Sequence, residues 1–172
     1  MDATINWGDG TVETVTTPGP HVHDYGTDGV YTVSVTGSVT AYNSTENGSI
    51  IYHERAKLMS VDNWGQLGFA SMRGAFNECH NLVSVPNTSD GIETVTDMQE
   101  MFSWATSFKQ DIGGWDTSNV SDMTGMFYEA PAFNQDLSGW CVSQFSSEPP
   151  DFDTGATSWT LSNSRPVWGT CP

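Results

Sequence analysis

Asp97-Met98-Gln99-Glu100-Met101-Phe102 returns 25 residues later as Asp122-Met123-Thr124-Gly125-Met126-Phe127. The same shift carries Ala105 to Ala130, Phe108 to Phe133, Gln110-Asp111-Ile112 to Gln135-Asp136-Leu137, and Gly114-Trp115 to Gly139-Trp140. A looser copy lies 26 residues upstream, where Met72, Phe76, Cys79 and Leu82 align with Met98, Phe102, Ala105 and Phe108. A fixed period in the twenties marks units that bury their apolar sides against one another, so it predicts a solenoid. Within a unit, Met98, Met101, Phe102 and Ala105 fall at helical spacing behind the capping pair Thr96 and Gln99, predicting a helix of about two turns. Phe108, Ile112 and Trp115 lie among glycines and polar residues, which predicts a turn and then a short strand over 115–120. The Met and Phe stripe, Trp115 and Trp140 read as core, and Cys79, aligned with Ala105 and Ala130, as a buried free thiol.

Working back from the repeats, the polar stretch Asn43-Ser44-Thr45-Glu46-Asn47-Gly48-Ser49 reads as a junction. Before it lies a β region. Residues 30–36 alternate with period two, which predicts a strand with Tyr31, Val33 and Val35 on one face. Residues 3–7 and 11–16 are β-branched runs separated by Gly8-Asp9-Gly10, predicting a hairpin.

The chain has 172 residues, with 21 Asp and Glu against 5 Lys and Arg, a net charge of −16 at pH 7. Nucleic acids and anionic membranes would repel it, because Arg55, Lys57, Arg73, Lys109 and Arg165 are scattered rather than clustered. Seven Trp, eight Phe and seven Met are more apolar bulk than a disordered chain carries. No apolar run reaches the ~20 residues of a membrane span, and the N-terminus lacks the blocks of a signal peptide, so an export signal is expected to be absent or already removed.

Trp7-Gly8-Asp9-Gly10, His23-Asp24-Tyr25 and Gly29-Val30-Tyr31-Thr32-Val33-Ser34-Val35 resemble the PKD family of Ig-like β-sandwiches across residues 3–42, although only six residues precede the Trp-Gly-Asp-Gly turn. Gly114-Trp115-Asp116-Thr117-Ser118-Asn119-Val120-Ser121-Asp122-Met123-Thr124-Gly125-Met126-Phe127, with Phe133-Asn134-Gln135-Asp136, resembles the DUF285 or BspA-like leucine-rich repeat family of bacterial and phage-encoded surface proteins. Together the resemblances imply a β plus α/β solenoid architecture. A partial, PKD-like β-sandwich over 1–49 would lead into a short leucine-rich-repeat-type solenoid over 50–172, with a C-terminal cap from about 146. They imply a non-catalytic extracellular adhesion module, on a cell or virion surface, that recognises a cell-surface glycan or matrix protein. The alternatives are a decoration or fibre component bound to other virion proteins, and a calcium-dependent adhesion module. An incomplete β module would also favour a homo-oligomer that completes it between chains.

Candidate chemistry is sparse. A Cys141–Cys171 bridge would close a loop of about 30 residues, worth about 3–4 kcal/mol, and pin the cap. His21-Val22-His23-Asp24 has metal-ligand spacing without a cluster to complete it, so a corner role is expected, and no Gly-x-Ser-x-Gly elbow supports an enzyme. Calcium has abundant hard ligands in Asp9, Asp24, Asp28, Asp111, Asp116 and Asp136, but turns and caps account for most of them. The expected binding face consists of the repeat-matched polar residues Lys109, Gln110, Asp111, Asn134, Gln135 and Asp136.

Overall fold

The computed structural model describes residues 2–17, 21–42 and 55–172. The junction at 43–49, and with it the expected boundary between 49 and 50, lies outside the described residues.

The N-terminal hairpin forms as its β-branched runs require. Strands β1 (Asp2–Asn6) and β2 (Val12–Val15) pair antiparallel, with Ala3 opposite Val15 and Ile5 opposite Glu13. In the turn, the Asp9 carboxylate accepts the Thr11 amide at 2.9 Å and the Thr11 hydroxyl at 2.7 Å. Strand β3 (Ser34–Ser38) pairs with the other edge of β1, giving the order β2-β1-β3. Ala3, Ile5, Val15 and Val35 share one face; Ala3 and Val15 are buried, whereas Val35 is 36% exposed.

The strand expected over 30–36 therefore begins only at Ser34, and its predicted apolar face is not covered, with Val33 and Val35 exposed. The cause is the length of β1. Its last residue, Asn6, pairs with Ser34, so residues 30–33 have no strand beside them. Tyr31 instead stacks on Tyr25 at 4.0 Å and donates its hydroxyl to the Thr27 carbonyl.

The repeats take a conformation that the helical reading did not foresee. In 98–105, the Met101, Ser103 and Ala105 amides donate to the Met98, Glu100 and Phe102 carbonyls, so three β-turns overlap in steps of two. The intervening amides of Met98, Glu100, Phe102 and Trp104 donate to Asp122, Thr124, Met126 and Tyr128 at 2.8–2.9 Å. Four of the eight amides in this row thus join the next copy, three close local turns and that of Gln99 goes to the Asp97 side chain, which leaves none for an i to i−4 helix. Glu100 and Trp104, third in their turns, have φ of 55° and 58°, as a type II turn needs and a helix forbids. Thr96 and Gln99 form no capping box: Thr96 donates to the Ala70 carbonyl, and the Gln99 amide is taken by Asp97 at 3.0 Å.

Rows 72–79 and 123–130 repeat this pattern, with Gly74 and Glu78, then Gly125 and Glu129, at the left-handed positions. Residues 149–156, where only an irregular cap was expected, make a further row. Their Pro150, Phe152 and Thr154 carbonyls accept amides from Gly125, Phe127 and Glu129, and Asp151 and Gly155 are left-handed.

These findings overturn the expected fold class. Among the described residues there is no α-helix and no second sheet facing the first, so neither a partial Ig-like sandwich nor a leucine-rich-repeat-type α/β solenoid is formed. The strand expected over 115–120 is replaced by a turn in which the Val120 amide meets the Thr117 carbonyl. Parallel pairing between copies is confined to isolated bridges, such as Ser71 with Asp97 and Asp97 with Asp122. Among the described residues, regular structure reduces to the three-stranded sheet and one short 3₁₀ turn, Arg55–Lys57.

The expected core residues are nevertheless inside. Met98, Met101, Phe102, Met123, Met126 and Phe127 are at most 1% exposed. Equivalent rings stack from row to row, Phe76 on Phe102 at 5.5 Å, Phe102 on Phe127 at 5.7 Å and Phe108 on Phe133 at 5.8 Å. Each fully buried Phe contributes about 1.5–3 kcal/mol, and each well-placed ring pair about 0.5–1.5 kcal/mol more. Trp115 and Trp140, also core, lie parallel at 6.5 Å, and their indole N–H groups donate to the Pro86 and Ile112 carbonyls.

Candidate functional site

The six polar residues expected to bind lie on two adjacent segments, 109–111 and 134–136, above the stacked Phe108 and Phe133. Gln110, Asp111, Asn134, Gln135 and Asp136 each engage one side-chain polar atom internally. Asp111 accepts the Gly113 amide at 2.9 Å and Asp136 the Ser138 amide at 3.0 Å. Those hydrogen bonds from Ser138 hold the Asp136 carboxyl below the usual range. Gln135 donates to the Lys109 carbonyl at 2.6 Å, and Gln110 to the Asp111 carbonyl at 3.4 Å. Asn134 accepts the Thr160 and Leu161 amides at 3.0 and 3.3 Å. Lys109, Asp111 and Asp136 remain exposed, so the strip presents one ammonium and two carboxylates on a braced backbone.

A second feature lies at the C-terminal end and was not visible in the sequence. An open groove of about 760 Å³ runs between Trp159, Leu161, Asn163, Arg165, Val167 and Trp168. Arg165 is fixed on one side by Asp153, at 2.9 Å from Nε and 2.8 Å from Nη2, and donates through Nη1 to the Trp159 carbonyl. Its guanidinium lies 4.5 Å above the Trp159 ring, a cation–π contact that orients both. The Cys141–Cys171 disulfide is present in the same C-terminal segment, and Val142 donates to the Thr170 carbonyl beside it. The groove could take an apolar or aromatic group.

The histidines brace the hairpin. His21 Nδ1 meets Glu13 at 2.7 Å, and His23 Nε2 meets Asp9 at 2.7 Å. The bonds to His23 first, then to Thr11, hold the Asp9 carboxyl far below the usual range. His23 is sandwiched between Trp7 at 5.1 Å and the edge of Tyr25 at 4.6 Å.

Of the other carboxylates offered for calcium, Asp24 accepts the Gly26 amide and Asp116 the Ser118 amide, each within a turn. No group of three or more His, Cys, Asp or Glu that could hold a metal occurs among the described residues. Cys79 is a buried free thiol that burial pushes up to about 12, so it stays protonated at neutral pH. Its neighbour His80 turns instead to the Trp104 carbonyl at 2.8 Å. Among the described residues, no helix is long and apolar enough to cross a membrane.

Comparison with known proteins returned no match among curated proteins and none among solved structures. Residues 48–163 match the family described as "Mycoplasma protein of unknown function, DUF285", a span that takes in every turn row and the strip at 109–136. Covering well over half of the sequence, that match makes the chain a member of the DUF285 family.

Proposed function

We propose that this chain is a non-catalytic surface-binding module, displayed outside the cell or on a virion, that recognises an extended surface such as a cell-surface glycan or a matrix protein. The observation that supports this most directly is the braced strip. Lys109, Asp111 and Asp136 project from two neighbouring segments whose backbones are tied by the Gln135 to Lys109 bond and sit on stacked, buried rings. Such a surface loses little conformational freedom on binding, which favours recognition of a spaced target. We read the family kinship further as BspA-like. For residues 3–42 we infer common descent with PKD modules, supported by the packing of Trp7, His23 and Tyr25, without the two-sheet architecture.

The test is saturable binding of the purified chain to intact bacterial or animal cells, to immobilised glycans and to matrix proteins, with and without calcium. Binding that weakens several-fold in a Lys109→Ala, Asp111→Ala, Asp136→Ala variant of unchanged fold supports the reading. Absence of saturable binding to all three target classes overturns it.

The second reading, an assembly component of a virion, draws on the sheet. Among the described residues its outer strands β2 and β3 each have one edge without a neighbouring strand, and β3 is exposed along its whole length, so a partner strand could extend it. Light scattering at several concentrations tests it, with a closed oligomer expected under this reading and a monomer excluding it.

A further inference from the structure

Trp104 is a large aromatic residue on the outside of a protein whose row phenylalanines, Phe76, Phe102, Phe127 and Phe152, are buried. It is 43% exposed, and its ring meets the partly exposed Tyr128 ring edge-on at 6.1 Å. Its backbone is left-handed, φ 58°, a conformation costly for a bulky side chain. The equivalent places in the neighbouring rows are filled by Glu78, Glu129 and Gly155. Nothing in the core requires an indole here, because the ring does not enter it.

The backbone around it is fixed. The Trp104 amide donates to the Tyr128 carbonyl at 2.8 Å, and the Trp104 carbonyl accepts from His80 Nδ1 at 2.8 Å. With its Nδ1 proton so used, the neutral His80 ring keeps Nε2 as an acceptor. The Thr106 hydroxyl donates to the His80 carbonyl at 3.5 Å, bringing another polar group to the same corner.

We propose that Trp104 and Tyr128 form a stacking subsite for one neutral sugar ring. The indole would face the ring's C–H surface, and the Tyr128 hydroxyl and His80 Nε2 would meet its hydroxyls. This rests on the reading of the chain as a surface-binding module, and it names a ligand class and a place. An L-shaped pair of rings rimmed by hydroxyl and imidazole groups matches the amphipathic faces of a pyranose. Glu78 and Glu129 hold the matching places in the rows on either side and His80 bonds the Trp104 carbonyl, so the two rings lack the apolar surround of a protein-docking patch. The charge of −16 selects against sialylated, uronic or sulfated sugars, leaving neutral hexoses and N-acetylhexosamines.

The experiment is a glycan array of neutral and acidic oligosaccharides, followed by titration of the best neutral one against the full chain, Trp104→Gly, Trp104→Phe and Tyr128→Phe. Trp104→Gly is the informative variant because glycine suits the left-handed backbone, so its unfolding midpoint should rise while binding falls at least tenfold. Trp104→Phe should retain part of the affinity. Neutral-glycan binding that Trp104→Gly leaves unchanged overturns the subsite but not the surface-binding function. Binding only to matrix proteins, or only to acidic glycans, does the same. No binding to cells, glycans or matrix proteins overturns both.

Discussion

Glu100 and Gly125 stand at the same place in successive turn rows and share one backbone conformation, with φ of 55° and 61°. A Cβ on Gly125 would lie 3.4 Å from Glu100 Cγ and 3.8 Å from Tyr128 Cβ, ordinary contact distances. The two positions therefore differ mainly in the cost of a side chain on a left-handed backbone. Glu100→Gly is expected to stabilise the protein by about 1 kcal/mol, and Gly125→Ala to destabilise it by about the same amount. Urea unfolding of the two variants checks this; equal signs of change would refute the shared-turn assignment.

Gly91 and Gly68 separate conformational cost from steric cost. Both are left-handed, at φ 98° and 78°. A Cβ on Gly68 meets no atom within 4 Å, whereas on Gly91 it would run into the Gly65 carbonyl oxygen, a backbone atom that cannot swing aside. Gly68→Ala should cost about 1 kcal/mol and Gly91→Ala about 3 kcal/mol or more. Thermal melts of the pair would show the difference as a much lower midpoint for Gly91→Ala.

The inward residues were legible in the sequence because Met98, Met101 and Phe102 repeat at a fixed period, and any stacked arrangement buries what repeats. Their local conformation was misread, since spacings of three and four arise from overlapping turns as well as from a helix. The contrary signal was present: two of the three copies place glycine, Gly74 and Gly125, where the third has Glu100, and glycine is a poor helix-interior residue. In the sheet, the alternation at 30–36 was clear, but where pairing stops depends on the length of β1, which the alternating residues do not encode. At the candidate site, Asp111 and Asp136 were found by their repetition, yet that repetition reflects turns closed by Gly113 and Ser138 as much as any ligand. The groove between Leu161 and Trp168 escaped notice because its residues do not repeat and meet only through tertiary packing.

Cys141 and Cys171 are bonded across a sequence separation of 30. On the chain-entropy account, opening that loop costs about 3–4 kcal/mol. Cys141→Ser with Cys171→Ser should lower the unfolding free energy by this amount, and the Thr170 and Trp168 amides should exchange faster than those of the turn rows. Hydrogen exchange with and without reductant reads both effects. An unchanged midpoint after reduction would show that Trp168 packing on Phe145 and Phe152, with the Val142 backbone bonds to Gly169 and Thr170, holds the C-terminal segment without the disulfide.

Asp9 links the hairpin turn to His23, and its carboxyl is held below its ordinary value of 3.8 by the His23 bond first and the Thr11 bonds next. A carboxylate whose folded value is depressed adds stability above its unfolded value and loses that contribution as pH falls towards the folded one. The turn should therefore be firmest above about pH 5 and loosen progressively below pH 4, without a change between pH 6 and 8 from this group. Asp9→Asn keeps the shape but removes the charge that His23 and Thr11 address. The Thr11 amide, which donates to Asp9 at 2.9 Å, is the reporter. Its exchange protection should be lower in Asp9→Asn than in the parent at pH 7, and the difference should narrow steadily as pH falls below 4. Equal protection at pH 7 would mean that the aromatic sandwich of Trp7, His23 and Tyr25, rather than the hydrogen bonds of the Asp9 carboxylate, holds this corner.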